Sequence, residues 1–440
     1  VSWTAHERLN NNHAWPQWRI TWADLLARRS ESKSRVIAFF GLFGVGNIGN
    51  EASLSTALQA ARELDPTAEL VCVCPHPDVV RLEHGVTAVP IHQAAQRGRR
   101  PDAPSGPRPV RILQRPFYEI ARWVSVYRFL RRVDLVIVPG TGILDDFGER
   151  PQGMPYHLFR WSAAAKLAGK PFTFLSVGAG PITHPLSRFL MKSAVRLSAY
   201  CSYRDNVSCA YMAEIGATSA TIPVMPDIVF ALPRPHSPEP TTSVTTIGLG
   251  VMSYYGWAND AVSGDGIFRA YIDKMSTIAC RALEEGHALR ILIGERCDRH
   301  AVDAILEAIR LRRGDVHGTD RVIDEPIESM SDLLAQIGRT DAVIGTRYHN
   351  VVGALMMNRP VISVGYAAKF NDVMTSMGLG RYCHHVETLD PEAVLGDLHD
   401  LLADWRDFAP AVDAGNREFM GRLALQFEAV IDGLELDSTP

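Results

Sequence analysis

The chain alternates short apolar runs with helix-length amphipathic stretches, and it goes through that alternation twice. Seven runs fall in the first pass: Arg35–Phe40, Glu69–Cys74, Val86–Pro90, Asp134–Val138, Phe172–Val177, Tyr200–Tyr203 and Thr221–Val224. Amphipathic stretches such as Glu51–Leu64 and Tyr156–Ala168 lie between several of them. Strand–helix alternation of this kind predicts a parallel sheet covered by helices. The pattern stops at Leu232–Ser243, where four prolines fall in a short polar segment that reads as a linker. It restarts with Thr245–Gly250, a helix near Phe268–Glu285, then Leu289–Ile293, Asp341–Ile344 and Val361–Val364. A helix over Gly415–Leu434 closes the chain, with no strand after it.

At 440 residues the chain exceeds one ordinary hydrophobic core, so two domains are expected. The expected fold class is α/β, with two Rossmann-like domains facing across a cleft. That is a GT-B-like architecture, in which a C-terminal helix can cross back to the first domain. The expected divisions are an N-terminal extension (1–34), a first Rossmann-like domain on the acceptor side (35–231) and the linker (232–243). A second Rossmann-like domain (244–408) and a C-terminal helix and tail (409–440) follow.

Composition narrows the classes. Hydrophobic content of 46% and charged content of 21% are those of a globular protein, and a net charge of −4 carries no nucleic-acid signature. No apolar run approaches the roughly 20 residues of a membrane span. Val1–Asn12 is polar and lacks the basic-then-apolar layout of a signal peptide. Seven cysteines form no CxxC pair and read as thiols in a reducing compartment, which points to the cytoplasm. One segment departs from this background: Arg97–Arg132 holds ten arginines against Asp102 and Glu119. Its second part, Ile112–Arg132, reads as a helix with Phe117, Trp123, Val124 and Phe129 among arginines. It is either a solvated face over a buried apolar side or a surface for an anionic membrane or glycan. In the membrane case the chain sits peripherally at the inner face.

Chemistry-bearing residues gather at strand ends, where ligands bind in open α/β sheets. After the first strand comes Gly41-Leu-Phe-Gly44-Val-Gly46-Asn47-Ile-Gly49-Asn50-Glu51. It contains GxGxxG, but no acidic residue ends the second strand to hold a ribose, so a dinucleotide site is disfavoured. Further strand ends carry Gly140-Thr-Gly142-Ile-Leu-Asp145-Asp146, Ser176-Val-Gly178-Ala-Gly180, Arg204-Asp205 and Pro226-Asp227. Asp145, Asp146 and Asp227 are candidate bases or hydroxyl binders, or helix caps. In the second half Arg347 and His349 follow a buried strand, and Tyr366 and Lys369 follow the next. Arg347 suits a carboxylate or phosphate, and His349 can trade protons near its ordinary pKa of about 6.5. The two can face one ligand only if the helix proper starts near His349 or Asn350. No metal-ligand spacing is present.

The ordered set resembles the polysaccharide pyruvyltransferase family. The likeness is carried by Gly46-Asn47-Ile48-Gly49-Asn50-Glu51-Ala52, Gly140-Thr141-Gly142, Ser176-Val-Gly178-Ala-Gly180-Pro181, Arg204-Asp205-x-x-Ser208, Arg347-x-His349 and Gly365-Tyr366-x-x-Lys369. The resemblance implies transfer of pyruvate from phosphoenolpyruvate to sugar hydroxyls as a ketal, with no cofactor beyond that donor. It implies that Arg204, Arg347 and His349 contact phosphoenolpyruvate. Lys369, Tyr366, Asn47, Gly49, Asn50, Glu51, Gly142, Gly178 and Gly180 complete the expected substrate site, with His349, Arg347 and Asp145 as catalytic candidates. The acceptor would be an oligosaccharide, a glycolipid or a lipid-linked repeat unit. A nucleotide-sugar glycosyltransferase of the same architecture and a non-catalytic glycan-binding protein are the alternatives.

Overall fold

The structure, a computed structural model, describes residues 34–91, 108–217, 223–235, 244–256, 264–314 and 321–432, with the side chains of 108–116 also left aside. The expected N-terminal extension, most of the linker, residues 97–107 of the arginine-rich segment and the final tail lie outside the described residues.

The first six strands form one parallel sheet. They are β1 (Val36–Phe40), β2 (Glu69–Cys74), β3 (Thr87–Pro90), β4 (Leu135–Pro139), β5 (Phe172–Val177) and β6 (Tyr200–Tyr203), ordered β3-β2-β1-β4-β5-β6. Every residue of β4 and β5 is buried, as strands covered on both faces require. Chain order reverses between β1 and β4, so the loops after these two strands open on one crevice. Of the Thr221–Val224 run, Val224 makes only an isolated bridge to Tyr203.

A second parallel sheet repeats the plan. It contains β7 (Thr246–Gly250), β8 (Ala288–Leu292), β9 (Val322–Ile323), β10 (Ala342–Gly345), β11 (Val361–Gly365) and β12 (Cys383–His385), ordered β12-β11-β10-β7-β8-β9. Its switch point lies between β7 and β10. β9 and β12 escaped sequence reading because two and three residues are too few to display a period.

Helices of the first half are α1 (Ile48–Leu64), α2 (Pro77–His84), α3 (Arg108–Leu130), α4 (Met154–Ala168), α5 (Pro185–Leu197) and α6 (Asn206–Glu214). Those of the second are α7 (Gly264–Glu284), α8 (Arg299–Arg313), α9 (Met330–Ile337), α10 (Tyr348–Met356), α11 (Ala368–Ser376) and α12 (Pro391–Ile431). The helix expected over Gly415–Leu434 is the end of α12, which runs for 41 residues with Pro410 inside it. Proline removes one donor, but neighbouring turns carry the helix through.

α12 crosses back to the first half. Gln426 accepts hydrogen bonds from the Ser202 and Tyr200 hydroxyls (2.6 and 3.1 Å) and donates one to Ser176 Oγ (3.0 Å). Ser176, the penultimate residue of β5, has a φ of +50°, a left-handed conformation that costs a non-glycine residue about 1 kcal/mol or more. Farther back, Phe419 meets Phe230 edge-on at 5.0 Å. The described residues from Arg35 on belong to one compact unit. Among the described residues, no helix is long and apolar enough to cross a membrane.

Candidate active site

The rim of the first half is a glycine floor with charged groups lying on it. β6 delivers Arg204, whose guanidinium crosses Gly178 and Gly142. A Cβ at Gly178 would stand 2.8 Å from Nε and Nη2, and one at Gly142 3.4 Å from Nη2. These two glycines therefore make room for Arg204. Nη1 donates to Asp227 (3.0 Å) and the Gly140 carbonyl (3.4 Å), while the buried Nε makes no hydrogen bond and lies 3.8 Å from Asp205. Burial alone would lower the Arg204 pKa, but Asp227, Tyr348 and Asp205 outweigh it and raise it, so the cation is permanent.

Asp145 sits over Gly180, where a Cβ would come within 3.1 Å of its own Cβ. Its Oδ1 accepts from the Phe147 amide (3.2 Å). Its Oδ2 takes no hydrogen bond from the described residues. Burial raises its pKa, although the Phe147 amide, Lys369 and Arg204 pull the other way. The other two acidic candidates are committed elsewhere. Asp146 accepts from the Thr183 and His184 amides (2.8 Å each) and pins that loop. Asp227 caps the turn at Val229 (3.1 Å) and holds Arg204.

On the second half, β10 leads into Arg347, which is the extended N-cap of α10 (φ −95°, ψ 142°). The helix starts at Tyr348, one residue before the earliest start that would let Arg347 and His349 face one ligand. The two side chains diverge accordingly. Arg347 turns into its own half, where Nε and Nη2 both donate to Asp298 and Nη1 lies 3.2 Å from Glu295. Asp298 is fully buried and also accepts from the Ser253, Gly294 and Glu295 amides. Burial would lower the Arg347 pKa, but this carboxylate pair raises it. Arg347 thus meets the cleft already engaged by carboxylates of its own half. Most of the Arg347 donors are spent on shaping the 294–298 loop, and its charge is what reaches the cleft.

His349, in the first turn of α10, points at the other half. Its ring rests on Gly49, so that a Cβ there would fall inside the imidazole. Nε2 is buried and unpartnered. Burial lowers the pKa to about 4, Asp227 works against this, and Arg204, Lys369 and Arg347 add to it. The expected value near 6.5 is therefore corrected: in the ligand-free cleft His349 is neutral at pH 7.

Tyr348, fully buried in α10, ties the rims together. The Arg204 guanidinium lies 4.9 Å from its ring centre and the Lys369 ammonium 5.4 Å. Lys369 also approaches Tyr366 (5.5 Å) and Phe370 (6.0 Å), and no carboxylate pairs with it among the described residues. Tyr366 stacks on Tyr254 at 5.9 Å. Tyr348 was missed in sequence because a tyrosine between two candidate residues carries no signal of its own.

The glycine-rich segment before α1 joins the halves rather than offering a polar ligand set. Asn47 caps α1 through the Asn50 amide (3.0 Å) and donates to Glu295 across the cleft. The Ile48 amide donates to the Gly294 carbonyl at 3.1 Å. Asn50 donates to the Leu42 carbonyl (3.1 Å), and Glu51 accepts from the Gly44 amide (2.7 Å) and faces His84 (3.3 Å). Of the residues expected to bind substrate here, Asn47 bonds across to Glu295, Asn50 and Glu51 bond within the first half, and Gly49 lies under the His349 ring. Glu295 and Asp298, on the β8 strand end, were also missed.

Two facing Rossmann-like halves, with cations and a buried imidazole between them and a helix crossing back, define a GT-B-like fold. The chain belongs to the polysaccharide pyruvyl transferase family, whose model matches residues 47–367. Solved structures agree on the architecture. A glycosyltransferase from Rickettsia africae ESF-5 is 11% identical with a TM-score of 0.58, covering 93% of this chain and 100% of that one. UDP-GlcNAc 2-epimerase from Neisseria meningitidis, bound to UDP-GlcNAc, is 11% identical with a TM-score of 0.55, covering 90% and 99%. At these identities the likeness is one of fold. No curated protein sequence matches the chain.

Proposed function

We propose that this chain transfers the pyruvyl group of phosphoenolpyruvate to two hydroxyls of a sugar in a glycan or glycolipid precursor, forming a ketal and releasing phosphate. The observation that carries the proposal is the unpartnered Nε2 of His349, buried against Gly49 within the electrostatic reach of Arg204, Lys369 and Arg347. A ligand bearing a carboxylate and a phosphate suits these cations. Arg204 and Lys369 would hold it, and Arg347 would act through its charge. Burial is the largest cause of the lowered His349 pKa and would remain, but the donor's negative charge would offset the contribution of Arg204, Lys369 and Arg347 and so favour proton uptake as the donor binds.

Protonated His349 would then give that proton to the methylene carbon of the enol, leaving an oxocarbenium-like centre at the adjacent carbon. A sugar hydroxyl adds there and loses its proton to Asp145, the acidic candidate with an uncommitted oxygen. Phosphate leaves with its oxygen, and a second hydroxyl closes the ketal. Of the two hydroxyl protons, one balances the proton now in the methyl group and the other leaves with phosphate. The scheme calls on no cofactor. Contact with an anionic membrane through Arg97–Arg132, at the inner face where a cytoplasmic donor is at hand, belongs to the same proposal.

The test is thermal unfolding with candidate donors, followed by incubation with a panel of glycosides, reading phosphate release and product mass together. Phosphoenolpyruvate should raise the melting temperature and yield a product heavier by one pyruvate ketal. Stabilisation by UDP- or GDP-sugars and not by phosphoenolpyruvate would overturn the proposal in favour of glycosyl transfer.

A further inference from the structure

Two histidines and a glutamate meet at the edge of the second sheet opposite the cleft. α7 ends at Glu284, Glu285-Gly286-His287 makes the turn, and β8 begins at Ala288. Because β8 enters the sheet here, the turn lies at the amino edge, a strand's length from the rim that carries Arg347 and His349. α12 brings His399 to this turn, 114 residues from Glu285 in sequence, a separation that leaves no ligand spacing to read. His399 Nε2 lies 2.7 Å from Glu285 Oε2, and His287 Nε2 lies 3.6 Å from the same oxygen. One ligand atom from each residue falls within 4.8 Å of the other two. A tetrahedral ion with bonds of about 2.0 to 2.1 Å sets its ligand atoms roughly 3.4 Å apart, so small side-chain rotations bring all three onto one ion.

The backbone under these ligands is held in place. Gly286 turns with a φ of +96°, a conformation that L side chains rarely adopt. Arg321 Nη2 donates to the Leu283 and His287 carbonyls (2.8 Å each), and the His287 amide donates to the Ala282 carbonyl (3.0 Å). On the facing element, Leu398 and Leu401 are fully buried on either side of His399 and fix the rotation of α12. A second group of this kind, Glu51, Glu83 and His84, is a poorer ligand set. It has one imidazole, and its two carboxylates already meet the Gly44 amide (2.7 Å) and Arg296 (3.5 Å). Two imidazoles with one carboxylate suit zinc and its neighbours, whereas magnesium and calcium require oxygen ligands.

We propose that Glu285, His287 and His399 bind a divalent ion of the zinc class, which ties α12 to the turn between α7 and β8. The site stands apart from the pyruvyl-transfer reading. The ion replaces the proton shared by His399 and Glu285, and water fills its fourth position, open to solvent because His399 and Glu285 side chains are 50% and 32% exposed. Its role is structural. α12 is the helix that crosses to the first half, and Pro410 divides it. The ion anchors the part before Pro410, as Gln426 anchors the part after it.

The test uses the full chain, stripped with a chelator and titrated with Zn2+ or Mg2+ in phosphate-free buffer. Zn2+ should bind one ion per chain at this site and raise the melting temperature, while Mg2+ should not. His399→Gln, His287→Gln and Glu285→Gln should each weaken Zn2+ binding at least about tenfold, while melting in chelator near the wild-type temperature shows that they fold. Co2+ added to the wild type should give the visible absorption of a four-coordinate nitrogen–oxygen site without a thiolate charge-transfer band, a readout that needs no variant. Hydrogen exchange should slow with Zn2+ in residues 282–288 and around His399. Failure of Zn2+ to bind would overturn the proposal in favour of a plain hydrogen-bonded tie between His399 and Glu285. Equal Zn2+ binding by wild type and the three variants, or a thiolate band pointing to the exposed Cys297, would overturn it in favour of another site. Equal stabilisation by Mg2+ would overturn the zinc-class assignment.

Discussion

Gly49→Ala should destabilise this protein although alanine is the better helix former. Gly49 is the second residue of α1 and adopts ordinary helical backbone. In an isolated helix the change would stabilise by up to about 1 kcal/mol, and by about half of that in a first turn. Here the added methyl falls inside the His349 ring, overlapping Cε1 and Nδ1 and standing 2.7 Å from Nε2. Overpacking of that kind costs roughly 1 to 3 kcal/mol, because the ring or the whole first turn must shift. In a His349→Ala background the obstacle is gone, and the same methyl should stabilise by about 0.5 kcal/mol. The two substitutions should therefore couple by roughly 1 to 3 kcal/mol, where independent behaviour would give no coupling. Urea unfolding of the four proteins measures the cycle. Additivity within about 0.5 kcal/mol would refute the contact, and with it the statement that His349 is seated by the opposite half.

Two further outcomes follow from buried polar groups. With the folded His349 pKa near 4 against about 6.5 in the unfolded chain, the unfolded state binds the extra proton in that window. Stability should fall as pH drops from 7 to 4.5, by roughly 2 to 3 kcal/mol from this residue, and His349→Gln should remove that share when chemical unfolding is compared at the two pH values. Gln426→Leu should cost roughly 2 to 4 kcal/mol by chemical unfolding, since Ser176, Ser202 and Tyr200 all lose a partner in a buried setting. A change below about 0.5 kcal/mol would show that water replaces the amide there.

Sequence reading was strongest where a buried run is long enough to exclude other states. Glu69–Cys74, Phe172–Val177 and Tyr200–Tyr203 are strands at the expected bounds. The addresses of Arg204, Asp145, His349 and Lys369 were legible because strand ends in a parallel sheet share one rim. Their partners were not. Arg347 is bound by Asp298, 49 residues away, and Asn47 by Glu295, 248 residues away. Such pairs leave no periodicity to read, so an arginine already engaged by carboxylates looks in sequence like one waiting for an anion. The glycines were legible as turns but not as floors, since what lies above Gly49, Gly142, Gly178 and Gly180 comes from distant segments. The α3 helix was foreseen, but only burial separates its packed residues, Val126 and Leu130, from the exposed Phe117 and Val124.

The depressed pKa of His349 bears directly on the pyruvyl-transfer proposal. A ring at about 4 is a poor proton store at pH 7 in the empty cleft, yet the causes of that value are not of one kind. Desolvation is fixed by the seat against Gly49, whereas the opposing charges of Arg204, Lys369 and Arg347 are a field that a bound anion cancels. Each pKa unit recovered on binding equals about 1.4 kcal/mol of coupling between proton and donor, and the coupling is reciprocal. The donor would thus bring its own acid into the charged state, and a cleft holding acceptor alone would have no proton to misdirect. Arg347 serves this arrangement best while tied to Asp298, because a mobile guanidinium would relax around the empty site and weaken the field that the donor is there to reverse.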